Sequence, residues 1–307
     1  MRYSDLMSGV LSPVITPFKD NLEPDSEKLV SHCRWLLDND VGLAVFGTNS
    51  EGNSLATEEK IELLETLVEA GLPADRMMPG TGCCALTDTL ALTRKAVELG
   101  CGGVLMLPPF YYKNVSDDGL YRSFAEIIER IGDDRLRVYL YHIPPVAQVP
   151  VTLPVIERLL KDYPGTVVGI KDSSGDWQNT KTMLDLFKGE KFHVFPGSET
   201  FMLKGLRHGG AGCISATANV NPKAIAQLAS SWEQDSADEQ QASLDQVRSV
   251  FQGYVMIPAM KAAVAHYSKS GSWRNVRPPL DPFDDGQARV LINSLEAIGF
   301  TMSGLEK

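Results

Sequence analysis

Val167-Val168-Gly169-Ile170-Lys171-Asp172-Ser173-Ser174-Gly175-Asp176 opens as a short, almost wholly apolar run and closes on turn formers. An apolar run of this length reads as a strand covered on both faces, as in a parallel sheet. The Asp, Ser and Gly residues that follow favour a turn and a helix N-cap. Lys171 therefore sits where a buried strand meets a polar loop. An ammonium stripped of water favours its neutral form, and a neutral lysine amine is a nucleophile for carbonyl carbon. Taken alone, the stretch supports two readings. One is a Schiff-base lysine. The other is a lysine that snorkels out of a strand end or pairs with Asp172 or Asp176.

The same strand-then-helix alternation extends in both directions from this stretch. Apolar runs read as strands at Leu11–Phe18, Val41–Phe46, Met77–Gly80, Gly103–Leu107, Leu136–Tyr141, Thr166–Ile170, Phe192–Phe195 and Ala211–Ser215. Between them lie segments of helical spacing: Asp25–Asp38, a helix capped at Thr57, Thr87–Leu99, Ser116–Ile131, Thr152–Lys161, Gly175–Lys188, Thr200–His208, and one from Asn221 with Pro222 in its first turn. In the first of these, Leu29, Val30, Cys33, Leu36 and Leu37 form one apolar face. The alternation predicts an α/β chain, a (β/α)8 TIM barrel over residues 1–232, a fold that takes about 250 residues. The polar run Gln234–Glu239 marks the change to a C-terminal helical region over 233–307, with helices near 237–252, 258–269 and 284–298. A doubly wound sheet ranks below the barrel, because no strand is followed by a dinucleotide-type glycine fingerprint.

Composition narrows the partners. The chain has 307 residues, a formal charge of -10 and a hydrophobic fraction of 43%. An acidic surface argues against nucleic acid or an anionic membrane as the main partner. The five cysteines, Cys33, Cys83, Cys84, Cys101 and Cys213, show no ligand spacing and read as reduced, mostly buried small hydrophobes. No metal site and no cofactor are predicted. The N-terminus does not read as a signal peptide and no run reaches membrane-spanning length, which makes the cytoplasm the default.

In a barrel of this type the active site lies at the C-terminal strand ends. Those ends carry Thr48-Asn49-Ser50-Glu51, Tyr111-Tyr112, Tyr141, Lys171, Ser198-Glu199 and Ser215. A lysine with tyrosines and hydroxyls suits carbonyl chemistry through an imine, with a tyrosine moving protons. Each piece also has a structural reading. Tyr141 can be a core tyrosine, Tyr111-Tyr112 a packed loop or an oligomer contact, and Gly47–Gly52 a plain turn in which Glu51 anchors the loop.

Together, Gly47-Thr48-Asn49-Ser50-Glu51, Pro109-Phe110-Tyr111-Tyr112, Tyr141-His142-Ile143-Pro144, Gly169-Ile170-Lys171-Asp172-Ser173 and Gly212-Cys213-Ile214-Ser215-Ala216-Thr217-Ala218-Asn219 resemble the dihydrodipicolinate synthase / N-acetylneuraminate lyase family of class I aldolases. The resemblance covers the chain from about residue 8 to 232 and extends loosely beyond. It implies that Lys171 forms the imine with pyruvate or a pyruvoyl substrate. It implies that Tyr141 relays protons, that Thr48 links Tyr141 to a second tyrosine, and that Tyr112 is that second tyrosine, which in dihydrodipicolinate synthases reaches into the neighbouring subunit's site. The substrate carboxylate is expected at Thr48 and Asn49, with the Ile214 backbone against the pyruvate moiety. Gln148, Ser173 and Ser198-Glu199 are candidates to bind substrate hydroxyls, as in the sugar-acid members of the family, and Gly197 is a further substrate-binding candidate. The family implies a homotetramer built as a dimer of dimers.

Two positions depart from the family pattern. A second Thr or Ser followed by Gly is usual after the first Thr, and here the pair is Asn49-Ser50. The arginine that holds aspartate semialdehyde in dihydrodipicolinate synthases is replaced by Val146, which removes a bidentate guanidinium anchor. The sequence therefore predicts a pyruvate-dependent class I lyase acting on a small-molecule 2-keto acid, hydroxylated or sugar-derived. Dihydrodipicolinate synthase activity is the first alternative, and a non-catalytic keto-acid sensor is the second.

Overall fold

The computed structural model describes residues 6–305, which fall into two compact units. One unit holds Val10–Leu72 with the chain from Ser215 onward; the other holds the segment up to Gly9 with Pro73–Ile214.

In the first unit, β1 (Gly9–Ser12) pairs in parallel with β2 (Gly42–Leu43) through Leu11↔Gly42 and Ser12↔Leu43. The helix Ser26–Asp38 starts at Asp25, whose Oδ1 accepts from the Lys28 amide at 3.1 Å. The predicted face Leu29, Val30, Cys33 and Leu36 is buried, whereas Leu37 is only half-buried and His32 and Trp35 take the remaining inward positions. The next helix, Thr57–Glu69, is capped one residue earlier than expected. Its N-cap is Ala56, whose amide is bonded by Glu59 Oε2 at 2.8 Å. The C-terminal helices are Ala237–Gln252, Met256–Tyr267 and Asp285–Ala297, close to the predicted ranges.

Asn219 ties this unit together. Its Oδ1 accepts from the Ile15 amide at 2.9 Å, and its Nδ2 donates to Pro13 O at 3.0 Å and Ala216 O at 2.9 Å. His32 Nε2 lies 3.4 Å from the same Oδ1, so Nε2 carries the proton and donates. His32 Nδ1 is then a lone pair, buried and without a hydrogen-bond partner. The ring stacks 5.6 Å from Trp35 and tilts 5.2 Å from Trp273. Burial pulls its pKa down from 6.5 to about 4, against a smaller opposing pull from Asn219. The folded state therefore prefers neutral His32, and stability is complete above pH 6.5 and is lost as pH falls from there towards 4. The expected loss across that window is about 3 kcal/mol. Urea unfolding of wild type and His32→Leu at pH 7 and pH 4.5 checks this. The wild type should lose about 2 kcal/mol more stability than the variant between those two pH values, and equal losses would show His32 to be uninvolved.

The second unit contains a parallel sheet in the order β3 (Val104–Met106), β4 (Val138–His142), β5 (Val167–Asp172), β6 (His193–Pro196). β7 (Gly212–Ile214) follows, after Ala211 N–H bonds Val194 O at 3.1 Å. The predicted strand at Met77–Gly80 survives only as a bridge, Gly80↔Leu105. Pro79 has no N–H to give the ladder, although its carbonyl still accepts from Leu105 N at 2.9 Å. Tyr139 fills the sheet's inner face. A Cβ at Gly103, just ahead of β3, or at Gly169 in β5 would meet its ring at 2.6 or 2.5 Å, so both positions need glycine. The Tyr139 hydroxyl accepts from Met7 N at 3.0 Å, and the ring meets Phe195 edge-on at 5.9 Å.

Of the five cysteines only Cys33 and Cys213 are buried; Cys83 and Cys101 are intermediate and Cys84 is exposed. The mostly buried reading fails for the adjacent pair, because Cys83 and Cys84 lie in the loop that enters the helix Leu86–Glu98. None of the helices among the described residues is long and apolar enough to cross a membrane.

Candidate active site

The β4–β5 register sets Tyr141 directly beside Lys171. Successive side chains alternate across a strand, so Tyr139 and Tyr141 share one face with Gly169 and Lys171. Lys171 is 2% exposed. Its Nζ donates to Tyr141 Oη at 3.3 Å and lies 4.4 Å from the centroid of the Tyr141 ring. On the other side β6 places Phe195 opposite Lys171. The strand runs two residues further than the sequence suggested, so Lys171 lies inside β5. An amine held in a nearly dry, aromatic-walled site beside a phenol that can pass protons is equipped to attack a carbonyl carbon.

The outward side chains of the same strands fix the loop ahead. Asp172 is buried, and its Oδ2 accepts from Thr180 Oγ1 at 2.5 Å and Ser174 Oγ at 3.1 Å. Its Oδ1 accepts from Ser174 N at 3.0 Å. His142 Nδ1 accepts from Val151 N at 3.0 Å. Burial pulls the His142 pKa down, with Asp172 pulling the other way. Neither residue was singled out as functional in the sequence, yet Asp172 clamps the turn that carries Ser173. Ser173 N bonds His142 O and Gly197 N bonds Asp172 O, both at 2.7 Å. A Cβ at Gly197 would fall 2.0 Å from Ser173 Oγ, so glycine is required for these two loops to meet. Ser198 Oγ shares a hydrogen bond with Thr200 Oγ1 at 2.9 Å. Ile214 ends β7 and is fully buried.

Tyr112 does not pack inward. It is 73% exposed, beside Tyr111 at 75%, with the two rings edge-to-face at 5.4 Å. Lys113 Nζ donates to Ala147 O at 2.8 Å and to Phe110 O, which holds this loop against the turn Pro144–Ala147. That segment is a short helix with proline at its first positions, where no N–H is needed. Val146 sits on it, 59% exposed.

Thr48 and Asn49 belong to the other unit, in a tight turn. Thr48–Ser50 forms one 3-10 turn between Phe46 at φ 64 and Glu51 at φ 56. Ser50 N and Gly52 N both bond Gly47 O at 3.1 Å, and Thr16 Oγ1 donates to Ser50 O at 2.6 Å. Glu51 anchors its loop, as its reading from the sequence holds. Its partner, Lys261, escaped the sequence reading, although one lysine inside the apolar helix Met256–Tyr267 is itself a signal.

The chain matches the Dihydrodipicolinate synthetase family over residues 6–298. It belongs to that family. An uncharacterized DapA-like lyase of Chloroflexus aurantiacus is 34% identical over 94% of this chain and 96% of its own length. A 4-hydroxy-tetrahydrodipicolinate synthase of Methanococcoides burtonii is 29% identical over 96% of this chain and 99% of its own. The crystal structure of dihydrodipicolinate synthase from Agrobacterium tumefaciens superimposes with a TM-score of 0.87 at 29% identity, covering 95% of this chain and 99% of that one. The (β/α)8 barrel with C-terminal helices, expected from the sequence, is thus the fold of this dihydrodipicolinate synthetase family enzyme.

Proposed function

We propose that this protein is a class I lyase that forms a Schiff base between Lys171 and pyruvate or a pyruvoyl-containing 2-keto acid. The observation that supports it is the buried Lys171 amine hydrogen-bonded to Tyr141 at 3.3 Å in a family whose relatives include a lyase and synthases. The neutral amine attacks the C2 carbonyl, and Tyr141 supplies the proton that lets water leave. The hydroxyl on C4 gives up its proton, the C3–C4 bond breaks, C4 leaves as an aldehyde carbonyl, and the iminium takes up the bonding pair as an enamine. Protonation at C3 and hydrolysis then release pyruvate and restore the amine.

Thr48, Asn49, Tyr112 and Ile214 keep the roles that the motif match assigns: Thr48 in proton relay together with Tyr112, which is exposed on its own chain and is proposed to reach the site of a neighbouring subunit, and Thr48, Asn49 and the Ile214 backbone around the pyruvate moiety. Ser173, Gly197 and Ser198 are proposed to meet the distal hydroxyls. Val146, exposed where an arginine would bind aspartate semialdehyde, favours a hydroxylated or sugar-derived substrate over that aldehyde. The exposed Tyr111, Tyr112, Val115 and Val146 support a homotetramer, and a cytoplasmic location accompanies this reading. Residues 1–232 are proposed as the catalytic barrel domain and 233–307 as its helical appendage.

Borohydride reduction in the presence of pyruvate tests the proposal. A reduced adduct on the Lys171 peptide is expected, and its absence from folded protein would remove pyruvate as the keto half. Turnover of aspartate semialdehyde comparable to that of hydroxylated 2-keto acids would reverse the substrate preference. Tyr141→Phe should slow adduct formation by about 10²- to 10⁴-fold, the range for loss of one acid–base group. Quenched-flow trapping measures it, and an unchanged rate would exclude Tyr141 from proton transfer.

A further inference from the structure

Lys261 and Glu51 are an ion pair with side chains 0% and 1% exposed. Lys261 stands in the apolar helix Met256–Tyr267, surrounded in sequence by Pro258, Ala259, Met260, Ala262 and Ala263. Burying two charges costs solvation that their attraction barely repays, and an apolar pair of the same size is commonly as stable. Stability therefore does not explain why the pair is here, and its geometry must.

Every polar atom of the pair is committed. Glu51 Oε1 takes Lys261 Nζ, and Glu51 Oε2 accepts from the Arg277 amide at 3.1 Å. Lys261 Nζ also donates to Asn275 O at 2.7 Å and lies 4.4 Å from the centroid of the Phe18 ring. Arg277 continues the network: its guanidinium donates to Ser54 O at 2.6 Å and to both Glu59 oxygens, and its Nε to Leu22 O at 3.0 Å. Burial lowers the Lys261 pKa to about 8, and Glu51 opposes that fall. Each charge keeps the other in place.

The carboxylate end of this network is a residue with φ 56, in the left-handed region that non-glycine residues rarely occupy. Phe46, at the other end of the turn, has φ 64. At Gly52 a Cβ would lie 2.0 Å from Phe46 O, so the chain folds back on itself with no slack. Backbone of this kind persists only where its surroundings over-determine it. Between the two strained residues lie Thr48 and Asn49.

We infer that Glu51 and Lys261 are positioning residues: through them the Met256–Tyr267 helix holds the Gly47–Gly52 turn in the conformation that presents Thr48 and Asn49 to the substrate carboxylate. The substrate half of this inference rests on the function proposed above. The clamp itself does not.

Hydrogen exchange of the wild-type protein in low urea tests the clamp. The amides of Ser50 and Gly52 should open with the same urea dependence as the Met256–Tyr267 helix. Turn amides that exchange a hundredfold faster, independent of urea, would overturn the proposal. The paired variant Glu51→Leu/Lys261→Met removes both charges at once. Its melting temperature should stay close to wild type, while the pyruvate concentration for half-maximal borohydride trapping rises at least tenfold and the maximal adduct is unchanged. An unchanged half-saturation in the folded double variant would overturn the positioning role. If the double variant does not fold, the wild-type exchange comparison decides. If wild type traps no pyruvate, the proposed function fails, and the exchange comparison still decides the clamp.

Discussion

Lys171→Met yields a folded protein that traps no pyruvate and turns over no substrate. Methionine keeps the length and apolar stem of lysine, and volume-conserving swaps in a packed interior cost under about 1.5 kcal/mol. The aromatic surroundings at Tyr141 and Phe195 accept a thioether, so the melting temperature should barely move. The chemistry has no such tolerance. Without an amine there is no carbinolamine, no iminium and no electron sink, and the loss should be on the order of 10⁴-fold or more. Mass spectrometry after borohydride reduction, with calorimetry on the same sample, separates the two effects. A variant that still forms a reduced adduct would move the imine to another lysine. A variant that does not fold would show that Lys171 is structural.

Asn219→Leu is expected to destabilise the protein by about 4 kcal/mol or more while leaving it folded at room temperature. The side chain serves three backbone groups, at Ile15, Pro13 and Ala216, and contacts His32. Leucine fills the volume and answers none of them. A buried backbone group left without a partner costs about 1–3 kcal/mol, so three together should cost about 4 kcal/mol or more. For a chain of this size that lowers the melting temperature by on the order of 10 °C. Thermal unfolding measures it. A loss below about 1 kcal/mol would mean that the three groups find water or other partners. Asn219 closes the last of the sequence motifs that carry the family resemblance, and this hydrogen-bond role gives it a reason to be asparagine.

The sequence made the alternation of strands and helices legible because the connections are short and the apolar runs are continuous. It lost detail wherever polarity misleads. Lys171 and Asp172 look like the start of a loop but complete β5, because Tyr141 receives the amine and Ser174 and Thr180 receive the carboxylate. Pro144-Pro145 looks like a break but opens a helical turn, where the missing N–H costs nothing. Met77–Gly80 looks like a strand but pairs only at its end, because Pro79 cannot donate. The adjacency of Lys171 and Tyr141 follows from parallel register, which the strand order allowed and periodicity alone did not fix. The partnership of Glu51 with Lys261 spans 210 positions, and no local pattern could report it.

The wedge of Tyr139 between Gly103 and Gly169 has a consequence for substrate range. It immobilises the sheet beside the amine, and a methyl group added at either glycine would have to displace the ring or the backbone. Ser173 follows β5, Ser198 follows β6, and Val146 lies on the short helix after β4. Under the proposed mechanism, substitutions at these three positions can alter substrate preference while the packing around Lys171 stays as it is.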